Sequence, residues 1–293
     1  MARRFSAPYQ SEPVSSLASW ARNLAVFSIV AVLVSIFIVR FGFLEVKPAL
    51  ATFFGTLACA GLSILVGLAA FVAIWQNGSR GMSRILVALL IDAAVLAYPA
   101  YLGLQYRKLP AIHDITTDPI DPPRYEALAR LRVREANPTT YPGLYAADQQ
   151  RAAYPDVGPL GTNVTPQVAH DAALAVVNRR RWRIVDARAP QAGRREGRIE
   201  AVARTPIMGF RDDVVIRVRA EADGTRIDAR SSSRYGAFDF GTNAARVRGL
   251  MNDIEDTLRA QKPERPSAPP TFGKKKTPIV KKDRSKADSQ RKR

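Results

Sequence analysis

Three stretches before residue 110 restrict this chain more than any other feature. A bilayer core of about 30 Å needs roughly 20 mostly apolar residues per helical span. The runs from Trp20 to Phe41, Pro48 to Trp75 and Ile85 to Tyr106 each supply that length. Inside hydrocarbon every backbone polar group must be satisfied within the chain, so such runs read as helices. The first is uncharged from Asn23 to Val39 and no small-residue A-x-A pattern directly follows it, which marks a retained signal anchor rather than a cleaved leader. The expected partner of this region is a phospholipid bilayer, and the expected location is an inner, plasma-type membrane.

Within the second run Gly55, Cys59, Ser63 and Gly67 recur every fourth residue. Small residues so spaced let another helix backbone approach, although they are also common in membrane helices generally. Asp92 lies inside the third run. A charge there is costly and is by default a functional candidate. With no second acid or His to form a relay, it reads instead as a residue that is protonated or hydrogen-bonded to a neighbouring helix. Orientation follows the basic residues at span ends. The count over all span ends is close to a tie, but the first span usually dominates, and Arg3, Arg4 and Arg22 at its leading end outnumber Arg40 and Lys47 at its trailing end, so the N-terminus is expected in the cytoplasm. Three spans then place the rest of the chain outside.

Charge is distributed unevenly. The chain carries a net +18, and half of that lies in residues 262–293, where 12 Lys or Arg accompany 3 acids and several prolines. Such a segment has little apolar surface to bury and reads as a disordered basic tail. Its natural partner is an anionic surface. Nucleic acid is a poor match, because only Phe272 is interleaved for base stacking. The single cysteine, Cys59, excludes an intramolecular disulfide and a Cys-based zinc site. With only His113 and His170, a His-rich metal centre is excluded too, and no cofactor motif occurs.

The expected organisation is an N-terminal segment (1–19), a three-span region (20–106), a Pro/Asp-rich connector (107–164), a soluble domain (165–261) and the tail. The connector holds Asp114, Asp118 and Asp121 among prolines that forbid regular helix or central strand. From 165 the pattern is α+β. Thr165 before Pro166 opens a helix. Trp182 to Ala187 and Arg198 to Arg204 read as strands, and Asp213 to Glu221 alternates most clearly. Asp223 and Gly224 form a hairpin turn into Thr225 to Arg234. Val247, Leu250, Met251, Ile254 and Leu258 make the apolar stripe of a last helix. The fold class is therefore multi-pass membrane helices plus a soluble α+β domain, with an antiparallel four-stranded sheet and two helices on one face. The other face would display Arg198, Arg204, Arg217, Arg219, Arg226 and Arg230 against Glu200, Glu221 and Asp228. That surface suits either an anionic ligand or a cross-strand ion-pair ladder.

Two loops carry the remaining candidates. In residues 205–213 Ile207, Met208 and Phe210 surround Gly209, and must fold back or meet a partner or lipid surface. Asp212 and Asp213, beside Arg211, are the only close acidic pair in a candidate site loop, but adjacent strand residues point to opposite faces and should not converge. Gly241, Thr242 and Asn243 open the last helix, where backbone N–H groups suit an anion or an ordinary cap. The ligand-binding candidates are thus Arg204, Phe210, Arg211, Asp212, Asp213, Arg217, Thr242 and Asn243, with no catalytic residue assigned.

The segments DITTDPIDPPRYEAL, WRIVDARAP, GRIEAVARTPIMGFRDDVVIRV and SRYGAFDFGTNAARVRGLMNDI resemble, in content and order, domain of unknown function 1499. The resemblance covers about residues 112–258. It implies a membrane-associated or exported bacterial protein, or a plastid relative, and carries no activity or catalytic residue. Three roles fit: a non-enzymatic envelope module binding an envelope protein or anionic ligand, a carboxylate-dependent hydrolase or isomerase, or a binder of nucleic acid or anionic lipid through the tail.

Overall fold

The computed structural model describes residues 13–42, 46–191 and 196–261. The basic segment 262–293 and most of the N-terminal segment lie outside the described residues. Three helices, α1 (Ser16–Phe41), α2 (Val46–Asn77) and α3 (Met82–Tyr106), are long and apolar enough to cross a membrane. Their packing is inverted relative to a water-soluble bundle. Small residues, among them Ala18, Ala21, Ala25, Ala60, Ser63, Ala70 and Ala88, are buried between them. Phe27, Phe54, Leu65 and Leu90 face outward. An apolar solvent requires that arrangement, because association there relies on close packing rather than on expelling water.

The buried line of α2 runs Thr56, Ala60, Ser63, Gly67, Ala70, alternating steps of four and three. A strict fourth-residue row drifts about 40° per step on a helix of 3.6 residues per turn. Gly55 consequently falls off the face and is exposed, while Gly67 comes close to Ala21 and Ile85. Cys59 lies at an edge, its sulfur 4.0 Å from the Leu24 carbonyl. Ser63 Oγ lies 2.7 Å from the carboxylate of buried Asp92 and 3.0 Å from the Ala21 carbonyl, joining all three helices.

The soluble part adds β1 (Asp114–Thr116), α4 (Ala127–Leu131), α5 (Leu144–Ala153), β2 (Leu160–Thr162), α6 (Pro166–Arg179), β3 (Arg183–Arg188), β4 (Glu196–Arg204), β5 (Arg211–Glu221), β6 (Gly224–Ser233) and α7 (Thr242–Gln261). All strands pair antiparallel in the order β1-β6-β5-β4-β3. β2 lies on the same edge of β6 as β1, β1 opposite residues 230–232 and β2 opposite residues 225–227. The sheet therefore has six strands, not the four expected. The two missed strands are three residues long, too short to show a period, and sit in the stretch read as a connector.

Alternation along the sheet sorts its side chains. Ile199, Ala201, Ala203, Val214, Ile216, Val218, Ile227 and Ala229 share one core with Ala172 and Val176 of α6 and Val247, Leu250 and Ile254 of α7. Thr165 caps α6 by accepting from the Val168 N–H. The intervening residues meet the 107–164 stretch. Tyr125 and Leu128 pack on Val202 and Val215, and Glu200 accepts from the N–H groups of residues 126, 127 and 128, which open α4. Arg217, Arg219 and Arg226 converge on Asp118 and Asp228, and Arg217 and Arg219 also reach Asp121. Buried Arg230 holds Asp114 in a two-pronged pair at 2.7 and 2.9 Å and lies over the Tyr125 ring.

Candidate functional site

The soluble part is docked on the membrane helices rather than hung from them. The β4–β5 loop closes on itself through the Thr205 N–H to the Phe210 carbonyl at 2.8 Å and the Phe210 N–H to Thr205 Oγ1 at 2.9 Å. That closure pushes Met208 into a cluster with Val39 of α1 and Ala49 of α2. The Arg40 guanidinium donates to the Pro206 carbonyl at 2.8 Å, and Arg204 donates to the Arg40 carbonyl at 2.7 Å. The last carbonyls of a helix lack intrahelical partners and attract cations, so Arg204 completes the end of α1. Gly209 is required here: its φ is +71°, and a Cβ would stand 3.2 Å from Arg40 Cα. The apolar loop thus does not fold back on its own domain alone. It meets this chain's own helices.

Two clefts flank this joint. The first, about 520 Å³, is apolar and lies between α2, α3 and the loops before β5 and after β6, with Phe53, Leu57, Leu102, Met208 and Phe238 in its walls. Tyr106 at the end of α3 packs on Phe238 at 5.0 Å, and Phe238 on Phe240 at 4.8 Å. Asp212 and Asp239 form its polar wall, and both are engaged. Asp212 takes Arg246 at 2.6 Å. Asp239 accepts from the N–H groups of Gly241 and Asn243, each at 2.9 Å, and so is the capping residue of α7. Burial pushes both carboxyls up. Arg246 opposes this at Asp212, and at Asp239 the two N–H groups oppose it while the Asp212 charge adds to it.

The second cleft, about 620 Å³, lies at the membrane-side end of the sheet and is lined by seven arginines and no carboxylate. Four have partners. Arg180 pairs with Asp253, Arg234 with Asp213, and Arg40 and Arg204 use backbone carbonyls. Arg181, Arg183 and Arg211 make no side-chain hydrogen bond or ion pair with another described residue, and all three are exposed. Arg204 and Arg211 are direct cross-strand neighbours. Like charges placed so repel. The other such pairs, Arg188 with Arg198, Arg198 with Arg217 and Arg219 with Arg226, are each surrounded by Asp or Glu.

Of the residues singled out from the sequence, Arg204, Phe210 and Arg211 come together at this joint, with Asp212 and Thr242 in the wall of the apolar cleft. Asp213 points the other way, to Arg132 and Arg234, so the two acids do not converge. Arg217 is buried in its carboxylate cluster. Asn243 is buried and bridges Ser231, Ser233 and the His113 carbonyl. The residues that sequence reasoning missed are Arg40, Arg181, Arg183 and Asp239. The run Arg179-Arg180-Arg181 followed by Arg183 was a visible signal for two of them. Among the described residues no group of three or more His, Cys, Asp or Glu is placed to hold a metal ion.

Residues 114–254 match the family model described as protein of unknown function, DUF1499. That match begins at β1, so it takes in both short edge strands together with α4 and α5. No curated protein matches the chain.

Proposed function

We propose that this protein is a non-enzymatic, membrane-anchored binding module of a bacterial envelope, whose α+β domain stands outside the inner membrane and takes an anionic ligand in the arginine cleft. One observation carries the reading. In a domain where Arg132, Arg217, Arg226, Arg230 and Arg246 are all matched to carboxylates, Arg181, Arg183 and Arg211 are grouped without one. Crowded like charges raise the free energy of the folded chain, and an incoming phosphate or carboxylate would relieve it through two-pronged guanidinium contacts. A carboxylate-dependent hydrolase is less well supported, because Asp212 and Asp213 face apart and each is held by arginine.

The test uses the full chain in phosphatidylcholine nanodiscs with inorganic pyrophosphate as the probe, followed by calorimetry. Wild type should bind, with affinity falling as salt rises. The double variant Arg183→Gln with Arg211→Gln should bind at least tenfold more weakly. No binding by wild type, or equal binding by both proteins, would overturn the proposal.

A further inference from the structure

The arginine cleft and the apolar cleft meet at Arg211, which lines both. Around that residue the surface changes from guanidinium to hydrocarbon within one side chain's reach. The apolar cleft is also continuous with the outward faces of the membrane helices, since Phe54 is 63 % and Tyr106 65 % exposed and both belong to its wall. Basic residues at span ends, here Arg40, Arg107 and Lys108, settle at headgroup depth.

We infer that a single anionic phospholipid of the surrounding bilayer occupies both clefts, one acyl chain lying between α2, α3 and the 205–210 loop and its phosphate at Arg211. This rests on the anion reading above and adds the class of ligand and the place of its chain. A small water-soluble anion would leave the apolar volume unfilled. An uncharged apolar ligand would leave Arg181, Arg183 and Arg211 unmatched. An anionic lipid answers both demands, and the lipid-facing mouth gives it a route in from the membrane. The carboxylates in the wall present no free charge to repel its phosphate, because Asp212 is held by Arg246 and Asp239 by the start of α7.

Gly103 gives a clean perturbation. It lies in the cleft wall on α3, and a Cβ there meets no heavy atom within 4 Å, so Gly103→Phe adds bulk at the cleft wall without a clash at its Cβ. The full chain is placed in nanodiscs containing a trace of phosphatidylglycerol with a diazirine on its acyl chain, irradiated and digested with trypsin, and label is read on the peptide 205–211, or 205–217 where Arg211 is replaced. Wild type should be labelled there, with unlabelled phosphatidylglycerol competing and phosphatidylcholine not. Gly103→Phe should lose that label at least fivefold while keeping pyrophosphate binding, and Arg211→Gln should lose the preference for phosphatidylglycerol. Equal competition by the two lipids, or unchanged labelling in Gly103→Phe, overturns the lipid inference. Pyrophosphate binding in that case leaves the anion reading standing, and its absence from wild type removes both.

Discussion

Replacing Arg230 with Met tests whether the 107–164 stretch is part of the domain or a strap across it. Arg230 is 2 % exposed and Asp114 fully buried, and they are joined by two short contacts. Removing the guanidinium leaves the Asp114 carboxylate buried and alone, which costs about 3–5 kcal/mol. The Pro123 and Thr139 carbonyls also lose their donor, each worth about 1 kcal/mol. Because the terms overlap, about 4 kcal/mol is the expected loss, equivalent to roughly 1,000-fold in the opening equilibrium. Hydrogen-exchange mass spectrometry on the full chain in nanodiscs reads that opening directly, since protection tracks the free energy of the cooperative unit. Amides of β1, β6 and β5 should all accelerate together, while those of α1 to α3 should not. Replacing both partners with apolar residues, Arg230→Met with Asp114→Leu, should restore part of the loss by removing the stranded charge. If the single change accelerates exchange less than tenfold, or only within 107–164, the stretch is a strap and the reasoning fails.

Two further outcomes follow. Asp239 has its carboxyl pushed up, chiefly by burial and further by Asp212, so the folded chain keeps a proton that the unfolded chain releases near pH 3.9. Its contribution to stability is complete below that pH and is lost as pH rises through the folded value. Asp239→Asn should therefore flatten the decline in stability above about pH 4, leaving the part due to Asp212, and unchanged slopes would refute the assignment. For topology, a reporter active only in an oxidising compartment, fused after residue 262, should be active if three spans follow a cytoplasmic N-terminus, the orientation we propose from the Arg3, Arg4 and Arg22 flank. Activity only of a cytoplasmic reporter at the same junction would reverse the orientation.

Strands with enough length to alternate were legible, as at β5, and the Thr165–Pro166 helix start was visible for the same local reason. What the sequence hid is non-local. Asp114, Asp118 and Asp121 look like turn formers beside prolines, and only the folded chain shows that they neutralise arginines about a hundred positions later. The site was half visible. Phe210 stood out as apolar in a loop, but its packing beside Met208 against the ends of α1 and α2 depends on tertiary structure, as does the meeting of the two clefts at Arg211. The helix opening at Thr242 read equally as an anion site or an ordinary cap, and nothing in the local pattern shows that Asp239, three residues earlier, takes its N–H groups.

The docking of the loop on Arg40 fixes the length of α3. Seven residues, 107–113, separate α3 from β1, and Leu109 among them packs on the domain core, so the domain turns and rises with the end of that helix. One residue inserted after Pro99 would swing the domain through about 100° and carry the 205–210 loop off α1. Seven residues would restore the azimuth to within about 20° but lift the loop some 10 Å above Arg40. No change in α3 preserves both coordinates. In bilayers of different thickness, tilting the three helices as one body is the accommodation that keeps this docking intact.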